Sequence, residues 1–344
     1  MNNTALPGLF ELCCPRKPGT LVNRHDIRPG PGAVAAAAAE ITSTVTSTAL
    51  STTLPIQASA HMSVAPHASG ADTIDHEFSF SAADFERVRA LIYKHAGISL
   101  HEGKHAMVYS RLSRRLRDTG HKSFAAYLQA LESATGAQSA QEWQEFVNCL
   151  TTNLTSFFRE EHHFHALAQD LKPLAGKPVR IWCCAASTGE EPYSIAMTCS
   201  EALGASAQVQ ISASDIDTNV LIAAKRGVYN ADARGLDQTR MRNFFMRGTG
   251  DNSGRIRVKP ELQRWIDFKP HNLMDTQWSL GEPFHMVFCR NVMIYFDAPT
   301  QRKVLERIHR VMRPQSLLFV GHSENFTEAK DLFRLRGKTI YERV

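Results

Sequence analysis

The chain has 344 residues, 43% of them hydrophobic and 21% charged, the balance of an ordinary soluble globular protein with a core of useful size. A formal net charge of +5 permits an acidic partner without demanding one, and no apolar run approaches the roughly 20 residues of a membrane span. The 7 cysteines include no C-x-x-C pair, which excludes the usual zinc-knuckle and thioredoxin patterns and points to a reducing compartment.

Residues 1–75 read as a disordered tail. An unbroken alanine run, Ala35 to Ala39, leads into Ser/Thr/Ala-rich sequence with few large apolar residues, too little to offset the entropy of ordering. A signal peptide is the rival reading, but the early charges sit among prolines and no leucine-rich stretch follows. Residues 76–150 read as a small helical domain. Phe85, Val88, Leu91 and Ile92 share one face, with Gly97 as a stop, and Val108, Leu112 and Leu116 share the next. Ser139 and Glu142 are spaced as a capping box ahead of Trp143, Phe146, Val147 and Leu150.

Residues 151–178 form a linker and a first helix, and residues 179–344 alternate strands with helices. Val179–Ala185, Val209–Ala213, Met286–Cys289 and Leu317–Val320 are the expected strands, with Val304, Leu305, Ile308 and Val311 on a helix between the last two. Such alternation implies a mainly parallel, doubly wound α/β sheet covered by helices. One stretch departs from it. Between about 242 and 270, Arg255–Val258 alternates polar and apolar, Trp265–Phe268 follows, and Gly248, Gly250 and Gly254 supply turns, which predicts a small antiparallel β insert.

The strand at Val179 runs into Ala186-Ser187-Thr188-Gly189-Glu190-Glu191-Pro192, where Ser187 and Glu190 have capping-box spacing. A dinucleotide site would want G-x-G-x-x-G to seat a pyrophosphate. Two glutamates stand there instead, suiting a ligand with an ammonium or sulfonium group, although a plain capped turn fits equally well. The next strand ends in Ser214-Asp215-Ile216-Asp217. An acid here can accept both ribose hydroxyls, and the other aspartate can cap the following helix. The hydroxyl-rich Thr151–Glu160 stretch lies at a domain junction, where pockets often form.

These segments, with Phe288-Cys289-Arg290-Asn291-Val292-Met293-Ile294-Tyr295-Phe296-Asp297 and Gly321-His322-Ser323-Glu324, closely resemble in identity, order and spacing the CheR family of chemotaxis receptor glutamate methyltransferases. The resemblance runs from about Phe78 to Tyr341. It implies a Rossmann-like class I methyltransferase fold and S-adenosyl-L-methionine as cofactor. It implies cofactor-binding roles for Asn153, Thr155, Arg159, Glu190, Asp215, Asn272, Leu273, Arg290 and Asn291. Arg159 and Tyr295 match the pair nearest the transferred methyl and are the expected catalytic residues. The implied partners are methyl-accepting chemotaxis receptors. The basic side formed by Arg111, Arg114, Arg115 and Arg117 would meet their acidic cytoplasmic helical bundle, although a solvated charged face is the usual explanation for such a run. Arg247-Gly248-Thr249-Gly250 in the insert would tether a receptor C-terminal peptide as an added strand.

The expected protein is a cytoplasmic monomer without metal, nucleic-acid partner or membrane insertion. His162 and His163 adjoin Glu160 and Glu161, but such neighbours do not share a helix face, and His322 reads as structural support. A glutamate acceptor is already ionised at about pH 7, so no general base is needed. Arg159 should orient the acceptor rather than clamp it, because tight pairing would stabilise the ground state of a reaction that discharges both partners. A nucleic-acid methyltransferase would usually carry an Asn/Asp-Pro-Pro-aromatic run where Arg290-Asn291-Val292-Met293 stands. A non-catalytic adaptor that binds cofactor and receptor is the other alternative, and Arg159 and Tyr295 argue against it.

Overall fold

The computed structural model describes residues 10–12, 77–326 and 329–344. The expected disordered tail therefore lies largely outside the described residues. Its described piece, Phe10–Leu12, is strand β1.

The helical domain comprises α1 (Ala82–Ala96), α2 (His105–Thr119), α3 (Phe124–Ser133) and α4 (Ala137–Leu150). A capping box of Ser81 and Asp84 starts α1, and Gly97, at φ 71°, ends it in the left-handed conformation a C-terminal glycine favours. Val88, Ile92, Val108, Leu112, Leu116, Phe124 and Phe146 are fully buried in one core. The capping box expected at Ser139 does not form. Helix α4 starts three residues earlier, after Gly136, and Ser139 Oγ donates to the Ala134 carbonyl. Glu142 instead turns inward, to Arg115 at 2.5 Å and the Tyr127 hydroxyl at 2.9 Å.

After α5 (His162–Leu171), the chain enters β2 (Val179–Cys183), then α6 (Glu190–Leu203), β3 (Val209–Asp215) and α7 (Thr218–Arg226). The insert follows, as β4 (Val228–Asn230), α8 (Gln238–Phe244), β5 (Phe245–Gly248), β6 (Arg255–Val258) and α9 (Pro260–Gln263). The chain returns to the main sheet with β7 (Ile266–Pro270), β8 (Phe284–Cys289), α10 (Ala298–Val311), β9 (Met312–Val320), β10 (Phe333–Gly337) and β11 (Ile340–Arg343). The main sheet has the order β10-β11-β9-β8-β2-β3-β7. The strands from β9 to β7 are parallel, and β11 and β10 add an antiparallel edge.

The insert differs from its expected bounds at both ends. It begins with β4 at Val228, and Trp265–Phe268 leads not to a hairpin but to the outer parallel strand, with Ile266 opposite Ile211. Strand periodicity alone does not say which sheet a strand joins. The two faces of the main sheet bury alternate residues. Ile181 and Cys183 pack with α5 and α6, while Trp182 packs under Val304, Leu305 and Ile308 of α10.

Candidate active site

The chain leaves β2 for α6 on one face of the sheet and leaves the adjacent strand β8 for α10 on the other. This divergence opens a crevice at the strand ends, where open α/β sheets bind ligands. A cavity of about 400 Å³ lies there. The Thr151–Thr155 linker, the turns after β2, β7 and β8, and the Ile98–Lys104 segment of the helical domain all reach its wall.

Of the residues expected to bind cofactor, Asn153, Thr155, Arg159, Asp215, Asn272, Leu273, Arg290 and Asn291 line this cavity, as does Tyr295. Glu190 is not among its lining residues. Its carboxylate accepts from Thr188 Oγ1 at 2.6 Å, and Glu191 is the lining carboxylate of that turn. Helix α6 starts after Gly189 rather than on a Ser187 capping box, because Ser187 Oγ donates to the Asn153 carbonyl.

The two aspartates after β3 divide the work. Asp217 caps α7 through the amides of Asn219 and Val220. Its other oxygen accepts from Thr151 Oγ1 and Asn153 Nδ2, both at 2.7 Å, and so fixes the linker. Asp215 faces the cavity and accepts the amides of Ser187 at 2.8 Å and Asp217 at 3.0 Å. Burial outweighs these bonds and pushes its carboxyl up to about 6.

Beneath the wall, the Arg290 side chain is fully buried against Glu191 and Glu160. Its Nη2 donates to the Arg159 carbonyl. Arg159 itself donates from Nη1 to the Leu154 carbonyl, 3.0 Å away. Tyr295 packs against the helical-domain core, and its carbonyl accepts the Ser99 amide. Asn272 Nδ2 likewise reaches the His95 carbonyl at 2.7 Å, so the wall is stitched to both domains.

Several contributors were not singled out from sequence. Glu324 closes the Gly-His-Ser-Glu turn, and its carboxylate accepts the amides of Gly321, Asn291, Val292 and Met293. His322, the expected support, pairs with Glu160 from an exposed position. His271 lines the cavity, and its buried Nε2 has no hydrogen-bond partner among the described residues. Four of the six non-glycine residues with positive φ among the described residues, Phe158, Glu160, Ser187 and Asn291, lie in these segments. Three have the amide bonded to a side chain, of Ser194, Asp215 and Glu324 respectively, which holds conformations that are otherwise disfavoured.

The four basic residues of α2 do not act alike. Arg111 donates to the Leu150 and Thr151 carbonyls and to Thr152 Oγ1, and Arg115 pairs with Glu142. Arg117 pairs with Glu77, and Arg114 is exposed. Although neighbouring positions do not share a helix face, the fold brings Glu160, His162 and His163 together. Ligand atoms of Glu160, His162 and His163 lie within 4.8 Å of one another. Arg290 stands 3.4 Å from the same Glu160 carboxylate, a fixed positive charge where a cation would sit.

The residues suit an adenosyl ligand bearing a sulfonium. The cavity has ligand size, the buried Asp215 carboxyl is a hydrogen-bond acceptor on its wall, and among the described residues His271 keeps an unsatisfied ring nitrogen. Residues 153–341 match the model of the CheR methyltransferase S-adenosylmethionine-binding domain, and residues 83–151 match that of the CheR all-α domain. The chain is 49% identical to a chemotaxis protein methyltransferase of Escherichia coli (strain K12) over 265 residues, covering 76% of this chain and 91% of that one. It is 49% identical over 271 residues to chemotaxis protein methyltransferase 2 of Pseudomonas aeruginosa, covering 78% and 95%.

Proposed function

The chain belongs to the CheR methyltransferase family, and from that premise we propose that it esterifies glutamate side chains of methyl-accepting chemotaxis receptors. It is an S-adenosyl-L-methionine-dependent methyltransferase of a chemotaxis system. When bound, that cofactor supplies a sulfonium methyl group.

The observation that carries the residue assignments is the convergence of Asp215, Arg159 and Tyr295 on one cavity at the strand crossover. Asp215 accepts the ribose hydroxyls. Asn153 and Asn272, each anchored by its own hydrogen bond, position the remaining polar groups. Arg159 orients the acceptor carboxylate without clamping it, because its Nη1 is already engaged by the Leu154 carbonyl. Tyr295, on the wall of the same cavity, fixes the acceptor's approach. Ile98, Leu100, Met107 and Phe296 supply apolar wall that keeps water from the reacting groups. Leu154 and Ile294, both on the wall and both exposed, offer an apolar rim for the receptor helix.

The receptor's acidic cytoplasmic bundle approaches along α2, where Arg114 and Arg117 are exposed and Arg117 is already paired with Glu77, and the enzyme works as a cytoplasmic monomer. No helix among the described residues is long and apolar enough to cross a membrane. The Arg247–Gly250 turn of the insert tethers a receptor C-terminal peptide. The glycine there is required by packing, since a Cβ on Gly248 would lie 2.0 Å from the Asn252 carbonyl oxygen. Incubation with methyl-labelled cofactor and a receptor cytoplasmic fragment tests the reading. Base-labile label, released as methanol, is expected. Label stable to base, or none, would overturn it.

A further inference from the structure

We infer that the outer edge of β5 is a strand-acceptor site whose resident occupant is the chain's own Phe10–Leu12 segment, so that an extended docking peptide must displace it. The inference rests on the tethering reading of the insert.

The small sheet has the order β1-β5-β6-β4. Strand β5 pairs with β6 on one side, and its other side is covered by β1. Without β1 that side would present unpaired backbone groups, which template the addition of another strand. The occupant comes from about 70 residues before the first helix of the fold, so it is no part of the local β4–β6 connection. Its register is specific: Phe10 opposes Gly248, Glu11 opposes Arg247 and Leu12 opposes Met246. An aromatic set across from a strand glycine covers backbone that the glycine leaves bare. The Arg257 guanidinium stands 6.0 Å from the Phe10 ring centroid, within range of a cation–π contact.

The occupied residues are Met246, Arg247 and Gly248, and the last two belong to the segment that the tethering reading assigns to a receptor peptide. Two strands cannot pair with one edge, so occupation by β1 and docking of a peptide there are mutually exclusive. The strand has only three register pairs, which makes exchange feasible. Its covalent attachment makes the competition independent of protein concentration.

The test uses the full chain, as wild type and as a Phe10→Ala/Glu11→Pro variant. These substitutions remove the aromatic and one strand amide but touch nothing in the catalytic cavity. The probe is a fluorescein-labelled synthetic peptide with the sequence of residues 8–12, Gly-Leu-Phe-Glu-Leu. Binding to the variant at least tenfold tighter than to wild type is expected. Hydrogen exchange of those Met246–Gly248 amides that point toward β1 should be at least tenfold faster in the variant and slowed again by the peptide. Equal affinities, no binding to the variant, or unchanged exchange would overturn the inference. A receptor C-terminal peptide titrated in parallel separates the two readings. If it fails to bind a variant that takes the probe, tethering fails and self-occupation stands. If it binds both proteins equally with unchanged exchange, self-occupation fails alone.

Discussion

The buried guanidinium of Arg290 donates to the backbone carbonyl of Arg159 at 2.5 Å, so one arginine on the cavity wall is held in place by another. Arg290 is also the countercharge for Glu191 and Glu160. Burial alone would raise the Glu160 carboxyl, but Arg290 and His322 together hold it below the usual carboxylate value. Replacing Arg290 by Ala strands two largely buried carboxylates and frees the Arg159 backbone. A loss of about 3–5 kcal/mol is expected, with the melting temperature down by roughly 10 °C. Thermal denaturation checks this, and an unchanged melt would show that the pairing is dispensable.

Arg159→Ala should separate chemistry from cofactor binding. Its side chain meets the cavity beyond an anchor to Leu154, so turnover is expected to fall by about 100-fold through lost orientation. Cofactor affinity, measured by calorimetry on the same protein, should change only a few-fold. Wild-type turnover in the variant would remove Arg159 from the mechanism.

Asp215 predicts opposite pH trends for binding and for stability. Its carboxyl is pushed up to about 6, and the ionised form is the better acceptor for ribose hydroxyls. Cofactor affinity should therefore weaken as pH falls below about 6, by up to about tenfold per pH unit, and Asp215→Asn should flatten the profile. The fold responds the other way. Because the folded pKa lies above the unfolded one, this group's stabilising contribution is complete below about 3.8 and is lost as pH rises through about 6. The shift of about 2 units corresponds to about 3 kcal/mol at most. Binding titrations and chemical denaturation across this window measure the two trends separately.

Arg111 and Arg114 lie on the same helix and should fail differently. Arg111→Ala removes the donors that hold the Leu150 and Thr151 carbonyls, so it should weaken cofactor affinity even without receptor. Arg114→Glu alters only an exposed charge. It should leave cofactor affinity intact while raising KM for a receptor fragment and lessening the dependence of that KM on salt. Equal behaviour of the two variants in both assays would contradict this division.

Glu324→Gln should weaken the turn after β8. Its carboxylate serves the backbone amides of Gly321, Asn291, Val292 and Met293, and an amide in its place would turn an NH₂ toward some of those donors. A loss of about 1–3 kcal/mol is expected in denaturant titrations, together with weaker cofactor binding.

Local periodicity was enough to find β2, β3, β8, β9 and the helical domain, because each buries a regular face. It did not separate β7 from the insert, since a short alternating strand carries no mark of the sheet it will join. The capping boxes expected at Ser139 and Ser187 illustrate the same limit. Both spacings are right, but Ser139 and Ser187 find backbone carbonyls elsewhere.

By itself the sequence determined the alternation that makes a doubly wound sheet, the acid at the end of β3, and the set of motif residues that meet at the cavity. Only the tertiary structure decided that Asp217 ties the linker, that Glu191 rather than Glu190 lines the cavity, and that Phe10–Leu12 covers β5. The reason is physical. Periodicity and caps are set by neighbours within a few residues, whereas a buried carboxylate or a sheet edge takes whichever partner the whole fold delivers, from tens to hundreds of residues away.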